Sequence, residues 1–221
     1  MRDSYRHKME GLVADVLTMM HLVRTAVERA NRALFEADLD AAQAVISGDE
    51  VLDQMYDDLD ARCLALLATE QPVAGELRTL VALTRMCADL ARMGDLAAHV
   101  AKIARMRYPE HAVSEAVRPN MERLGRIAAE MVGMAATALE QRDVFDARLM
   151  AEYDDEADDL RTQQFKVLLS DEWADGVRAA VDAALLGRYL ERIADHAVLI
   201  GSRVVYNVTG LHPQGAQWTI A

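Results

Sequence analysis

An internal repeat constrains this chain more than any other feature of its sequence. Residues 90–95 read Leu-Ala-Arg-Met-Gly-Asp, and residues 190–195 read Leu-Glu-Arg-Ile-Ala-Asp. A second echo repeats a pair of aspartates four positions apart, at an offset of 105 residues rather than 100: Asp49 and Asp53, then Asp154 and Asp158. Because self-similarity at a fixed spacing marks a repeated structural unit, the two halves are expected to fold alike.

The pattern of apolar residues identifies that unit as helical. Apolar residues recur at helical spacing along nearly the whole chain, and no stretch alternates as a strand would. Breaks in the pattern fall at five places: residues 36–40, 71–72, 108–109, 143–146 and 170–172. We therefore predict an all-α protein of six long helices, arranged as two tandem repeated three-helix bundles.

The breaks also suggest the domain organisation. Residues 1–108 form the first predicted repeat, residues 109–210 the second, and residues 211–221 a C-terminal tail. Asp38 or Asp40 is suited to cap the second helix, and the aspartates of the 143–146 break are suited to cap the fifth. Pro119 is suited to the first turn of the fourth helix.

Composition and charge exclude several classes of function. A net charge of −12 argues against nucleic acid as a partner, because phosphate backbones bind basic surfaces. No apolar run approaches the roughly 18–20 residues of a membrane span, so we expect a cytoplasmic protein without direct membrane insertion. Cys63 and Cys87 lie inside predicted helices without a C-x-x-C motif, which favours buried free thiols.

The recurring acidic pairs are the candidate chemistry. Residues four apart lie on one face of a helix, so two carboxylates there can bind a hard cation or a basic partner. Helical geometry places Asp195 opposite its apolar stripe and Glu191 close to Asp195, which predicts that both are surface groups. A solvated acidic face is the ordinary interpretation of one such pair. Four such pairs or near-pairs occur at matched positions of the two repeats, and each pair of like charges costs a helix roughly 0.2–0.5 kcal/mol, which favours neutralising cations.

These motifs, taken together, resemble a known family. The second helix of each half carries D-x-x-x-D, and the third carries an acidic motif within L-[EA]-R-[IM]-[GA]-D. Residues 71–78, which begin Gln-Pro-Val-Ala, also resemble an interhelical turn of the PhoU family. The resemblance covers nearly the whole chain. It implies a non-enzymatic cytoplasmic regulator of phosphate uptake and phosphate-starvation signalling. Such a protein negatively regulates the response by linking a phosphate ABC transporter, through its ATPase, to a sensor histidine kinase.

The resemblance also implies metal binding, with iron, zinc, manganese or magnesium as the candidates. Carried over residue by residue, the first site comprises Asp49, Asp53 and Asp95, and the second comprises Asp154, Asp158, Glu191 and Asp195. The sequence departs from the motif at Ala91, where the second repeat has Glu191. His99 could supply a nitrogen ligand there, or it could be a solvated surface histidine. Because ligand charge raises affinity, the second site is expected to bind more tightly.

Two other interpretations remain open from the sequence. A ferritin-like di-metal enzyme would require Glu-x-x-His pairs, and none of the six histidines has a glutamate three residues before it. A metal-free helical scaffold is the other. Leu185 and Leu199 point away from the apolar stripe of their helix, so this surface should be covered by the sister bundle or by another chain, and we predict a homodimer. Gly94 and Ala194 are small at equivalent positions, which predicts close approach of helices.

Overall fold

The computed structural model describes residues 2–142 and 144–211, and every regular element in this part of the chain is an α-helix. The elements are α1 (Arg2–Glu36), α2 (Leu39–Glu70), α3 (Gly75–Arg107), α4 (Arg118–Gln141), α5 (Phe145–Leu168) and α6 (Gly176–Thr209). The predicted fold class is confirmed, since six helices follow one another as two sets of three.

Local capping chemistry explains several helix boundaries. The Asp38 carboxylate accepts a hydrogen bond of 2.8 Å from the backbone N–H of Ala41, so Asp38 rather than Asp40 caps α2. Pro119 lies in the first turn of α4, as predicted. Gly210 has a φ of 73° and ends α6 in the left-handed region that glycine adopts without strain.

Other predicted boundaries differ or cannot be compared. The sixth helix begins at Gly176 rather than near residue 173, because Trp173 belongs to the preceding turn and its indole N–H donates to the Gly176 carbonyl. Asp143, one of the predicted caps of the fifth helix, lies outside the described residues. Val144 is the residue at the N-cap and provides no side-chain hydrogen bond there. Residues 212–221 of the predicted tail also lie outside the described part.

The helices form two layers. Contacts of α2 with α3, α3 with α6 and α6 with α5 give one layer in the order α2, α3, α6, α5. The second layer contains α1, which packs on α2 and α3, and α4, which packs on α5 and α6. Each repeat is therefore a three-helix bundle, and the two bundles meet through α1 with α4 and through α3 with α6.

The interface between α3 and α6 is antiparallel. Four side-chain pairs define its register, from one end to the other: Thr79 with Asn207, Asp89 with His196, His99 with Tyr189, and Arg107 with Asp182. Residue numbers rise along α3 as they fall along α6. The two acidic motifs, at residues 91–95 and 191–195, consequently lie near the middle of this interface, and neither lies at a helix end.

A close approach of α2 and α3 positions the first acidic motif. A Cβ atom added to Gly94 would lie 2.6 Å from Cδ1 of Leu52 and 3.7 Å from Oδ1 of Asp49. A side chain on Gly94 would therefore push α2 away, which confirms the prediction of close helix approach at this position. The absence of a side chain on Gly94 also allows Asp49 to lie close to α3.

Two further sequence-based predictions are addressed by the packing. Cys63 and Cys87 are both buried free thiols, as predicted. Burial raises the pKa of the Cys87 thiol to about 12, and it also raises that of Cys63. Among the described residues, no helix is both long enough and apolar enough to cross a membrane.

Candidate functional site

The second repeat brings three aspartates of two helices together between α5 and α6. Asp154 and Asp158 lie on α5, Asp195 lies on α6, and we call this group the second acidic cluster. Asp154 and Asp195 are half-buried, whereas Asp158 is exposed. Burial raises the pKa of Asp154 to about 6, and the nearby charges of Asp195 and Asp158 add to that effect. The aspartates predicted from sequence to share a site are therefore electrostatic neighbours.

Asp195 experiences the same negative environment from the other helix. Burial is the largest cause of its raised pKa, and the charge of Glu191 is the next. Asp158 raises this pKa further, while Arg188 and His196 lower it. The cluster therefore presents a region of negative potential in the groove between α5 and α6, which is the electrostatic requirement for binding a cation.

Glu191 is placed differently from the three aspartates. Glu191 is buried, with 4% of the residue exposed, so the prediction that it is a surface group is wrong. One carboxylate oxygen accepts a hydrogen bond of 2.6 Å from Arg161, and the other accepts one of 2.5 Å from Arg188. Two guanidinium groups satisfy this carboxylate, which makes its burial possible. Counting positions around an isolated helix could not reveal Arg161, which lies on α5.

The first repeat replaces this whole ionic group. By the repeat offsets, Tyr56 stands in place of Arg161, Ala88 in place of Arg188, and Ala91 in place of Glu191. Tyr56 and Ala91 are partly buried and pack against the hydrophobic core. Ala91 is thus one part of a three-residue exchange of ionic for uncharged side chains. Its difference from Glu191 is accompanied by the absence of both arginine partners in the first repeat.

The first repeat has a matching group between α2 and α3. Asp49 and Asp53 lie on α2, Asp95 lies on α3, and we call this group the first acidic cluster. Burial raises the pKa of Asp49, and the charges of Asp95 and Asp53 raise it further. Lys102 and His99 act in the opposite direction. As in the second repeat, the first aspartate of the α2 pair is half-buried and the second is exposed.

Two side chains beside the first cluster have defined partners. Arg92 donates a hydrogen bond of 3.1 Å to Asp95, as expected for an arginine within an acidic motif. His99 is half-buried and stacks on Tyr189 of the other repeat, with ring centroids 5.3 Å apart. Because its charge affects the pKa of Asp49, His99 belongs to the surroundings of the first cluster and is not a freely solvated histidine.

Comparison with known proteins identifies the repeated unit. A family model described as "PhoU domain" matches the chain twice, over residues 16–104 and 121–204. The chain belongs to the PhoU family. Each match covers the core of one three-helix repeat, including its acidic cluster.

Individual relatives extend the PhoU match to almost the full chain. It is 42% identical over 213 residues to the Mycobacterium tuberculosis "Phosphate-specific transport system accessory protein PhoU homolog 2", covering 96% of this chain and 100% of that protein. It is 40% identical to "PhoU homolog 1" of the same organism, with 96% of each chain covered. The crystal structure of PhoU from Pseudomonas aeruginosa superposes with a TM-score of 0.89 at 30% identity, covering 94% of this chain and 100% of that one.

Both acidic clusters of the PhoU repeats offer carboxylate oxygens, which are suitable donor atoms for cations. Carboxylate oxygens are the ligands preferred by hard divalent ions, and each cluster contributes three carboxylates from two helices. Within the described residues, however, no group of three or more His, Cys, Asp or Glu side chains is already arranged to hold an ion.

Sequence reasoning overlooked several arginines of this PhoU protein. Arg161 and Arg188 satisfy Glu191, and three further arginines lie together between α3 and α6. Arg188 could have been found, since it precedes Glu191 by three residues on one helix face. Arg161 lies on a different helix, and its partner depends on how α5 and α6 pack.

Proposed function

We propose that this protein is a metal-binding negative regulator of phosphate uptake and phosphate-starvation signalling, and that it links a phosphate ABC transporter to a sensor histidine kinase. The observation that carries the proposal is the match of both repeats and of 96% of the chain to a protein named as a phosphate-specific transport system accessory protein. The TM-score of 0.89 to a solved PhoU supports it further, as does the presence of one acidic cluster in each repeat of this chain.

In this proposal the two acidic clusters hold divalent or transition-metal ions. Asp49, Asp53 and Asp95 would hold one ion, and Asp154, Asp158 and Asp195 the other. A bound cation supplies positive charge that offsets the mutual repulsion of the aspartates. The carboxylate of Glu191 instead keeps Arg161 and Arg188 in place, because both of its oxygens already accept hydrogen bonds.

The regulatory part is tested by deleting the gene in its host and measuring transcripts of the phosphate-uptake genes in high phosphate. We expect those transcripts to rise, and a plasmid copy of the wild-type gene to restore repression. Unchanged transcripts after deletion, in a strain shown to lack a second copy, would contradict the regulatory role. Co-purification from phosphate-replete cells then tests for the transporter ATPase and the histidine kinase.

The metal-binding part is tested separately with purified protein stripped of metal by a chelator. Calorimetric titration with Mn²⁺, Mg²⁺ and Zn²⁺ should show saturable binding. The double variant Asp154→Asn with Asp158→Asn should lose the second-repeat ion, whereas Asp159→Asn, an exposed neighbour on α5, should not. Equal loss in both proteins would mean that binding reflects general negative charge, and that the aspartates of the cluster are not ligands.

Exposed apolar side chains support a homodimer. Val177 is 81% exposed, Val181 51% and Leu185 41%, and all three lie on the N-terminal half of α6. Leu199, the other residue singled out from sequence, is half-buried beside α3. We propose that the α6 patch packs against a second copy. Sedimentation equilibrium should give a dimer mass for wild type and a monomer mass for Val181→Asp.

The enzyme alternative is tested on the same metal-loaded protein. A di-metal oxidase would consume oxygen when reduced iron is added, whereas a regulator would bind the metal without turnover. The relatives are named as accessory proteins, which supports the regulator. Sustained oxygen consumption that the Asp154→Asn and Asp158→Asn double variant abolishes would favour the enzyme instead.

A further inference from the structure

A basic groove lies between the N-terminal half of α3 and the C-terminal half of α6, away from the two acidic clusters. Three arginines line it, namely Arg78 and Arg85 from α3 and Arg203 from α6, and we call it the arginine groove. Its volume is about 400 Å³. Three guanidinium groups in one cavity stand out in a chain whose net charge is −12.

The positive charge of the groove is only partly neutralised. Asp89 forms an ion pair with Arg203 and also lies 3.0 Å from Nδ1 of His196. Within the described residues neither Arg78 nor Arg85 forms an ion pair, and Nε of Arg78 is buried without a hydrogen-bond partner. Burial lowers the pKa of Arg203 to about 10, and the charge of Arg85 contributes to this decrease. The like charges therefore repel one another where water is restricted.

The charge balance indicates the kind of anion that would relieve this repulsion. Three guanidinium groups and the single carboxylate of Asp89 leave two positive charges uncompensated. A phosphate monoester carries about two negative charges at neutral pH. Guanidinium groups also match phosphate oxygens with paired hydrogen bonds.

The repeat does not impose this concentration of arginines. At the equivalent positions of the other repeat, Arg178 stands in place of Arg78, but Leu185 stands in place of Arg85 and Ile103 in place of Arg203. Only one of the two sets of equivalent positions holds three arginines. Internal symmetry and general helix packing therefore do not explain the composition of the arginine groove.

Apart from Ser202 and Tyr206, the rest of the groove is apolar, and the groove is too large for an inorganic anion alone. Leu77, Val81 and Leu199 form its walls, and Leu77 and Val81 are 42% and 37% exposed. A volume of about 400 Å³ lies within the roughly 300–1,000 Å³ typical of small-molecule sites. Apolar walls next to paired arginines suit a ligand that has an anionic end and a carbon-rich body.

We propose that the arginine groove binds a small organic phosphate, with the phosphate held by Arg78, Arg85 and Arg203 and the apolar part against Leu77, Val81 and Leu199. This site goes beyond the regulatory function proposed above and does not require metal at either acidic cluster. Through this site, the protein would respond to a phosphorylated small molecule.

The test uses the full chain and three probes in phosphate-free buffer at low salt: phenyl phosphate, inorganic phosphate and phenol. Calorimetry should show saturable binding of phenyl phosphate that is at least about fivefold tighter than that of inorganic phosphate, because the ring buries apolar surface. Phenol should not bind measurably. No binding of phenyl phosphate at millimolar concentration would overturn the proposal. Equal affinity for phenyl phosphate and inorganic phosphate would overturn the claim that the ligand is an organic phosphate.

Substitutions locate the binding in the groove. Arg78→Met and Arg85→Met should each weaken phenyl phosphate binding by about tenfold, the range of a charge-assisted hydrogen bond. Arg178→Met is the matched control, since Arg178 is the repeat equivalent of Arg78 outside the groove, and it should bind as wild type does. Arg85 is exposed, so its variant remains informative if Arg78→Met fails to fold. Equal weakening by Arg85→Met and Arg178→Met would contradict the assignment.

Discussion

Leu52 of α2 occupies the space that a side chain on Gly94 of α3 would need, since a Cβ on Gly94 would approach Leu52 Cδ1 to 2.6 Å. The second repeat forms the equivalent helix contact with different residues. There Ala157 and Ala194 stand at the equivalent positions, and both are buried. One repeat pairs a large residue with glycine, and the other pairs two alanines. The spacing between the two helices of a repeat therefore depends on both residues of the pair together.

The first prediction is that Gly94→Ala destabilises the protein by about 1–3 kcal/mol, because the added methyl group clashes with Leu52. Leu52→Ala alone should also destabilise it, by about 2–5 kcal/mol, through the cavity that it leaves. In the double variant the two alanines reproduce the pair of the second repeat, so the combined cost should be smaller than the sum. Urea unfolding of the four proteins measures this coupling, and strict additivity would contradict it.

A second prediction concerns Glu191 and its two arginines. Removing both with Arg161→Ala and Arg188→Ala leaves a buried carboxylate unpaired, which should cost about 3–5 kcal/mol. Adding Glu191→Ala to that double variant should restore much of the loss, because the first repeat already folds without this ionic group. Unfolding free energies at neutral pH test the prediction. If Glu191→Ala destabilises the double variant further, its charge is not the cause of the loss.

The third prediction follows from the raised pKa of Asp154, which is about 6. The folded protein then binds this proton more tightly than the unfolded chain, whose aspartate has a pKa near 3.9. The free energy of unfolding should therefore decrease as pH rises from about 4 to 6, because Asp154 becomes charged, and the full decrease should be reached by pH 7. In chelated protein, Asp154→Asn should be more stable than wild type at pH 7 by about 1–2 kcal/mol after allowance for solvent screening.

The control for this experiment is Asp159→Asn, whose exposed carboxylate should leave the pH profile unchanged. Saturating Mn²⁺ should stabilise wild type at pH 7 more than it stabilises Asp154→Asn, if the cluster binds the ion. Lower stability of chelated Asp154→Asn than of wild type at pH 7 would show that the charge of Asp154 is favourable in the fold.

The fourth prediction concerns the two thiols. Burial raises the pKa of both Cys63 and Cys87, so neither forms the reactive thiolate near neutral pH. The native protein should not react with a thiol reagent such as dithionitrobenzoate over minutes at pH 8, whereas the protein in guanidinium should react at both cysteines. Rapid labelling of native protein, with no change in its circular dichroism, would contradict the burial.

Comparison of sequence with structure shows which inferences depend on local patterns. Helical periodicity and the internal repeat were sufficient to predict the six helices. The repeated acidic motifs also identified aspartates that are neighbours across a groove between two helices. Glu191 was misplaced because its burial depends on Arg161, thirty positions away on another helix. The arginine groove was missed because Arg78, Arg85 and Arg203 share no motif and come together only where α3 crosses α6.

The layer order also has a consequence for how the chain reaches this structure. Within each repeat, the contacts join helices that follow one another or are separated by one helix, so they close only moderate lengths of chain. In the described part of the chain, the main contacts between the repeats join α1 with α4 and α3 with α6. Since contacts between sequence neighbours form fastest, each three-helix unit is expected to collapse on its own before the two dock. The polar pairs along α3 and α6 are then expected to select the register in which the two units dock.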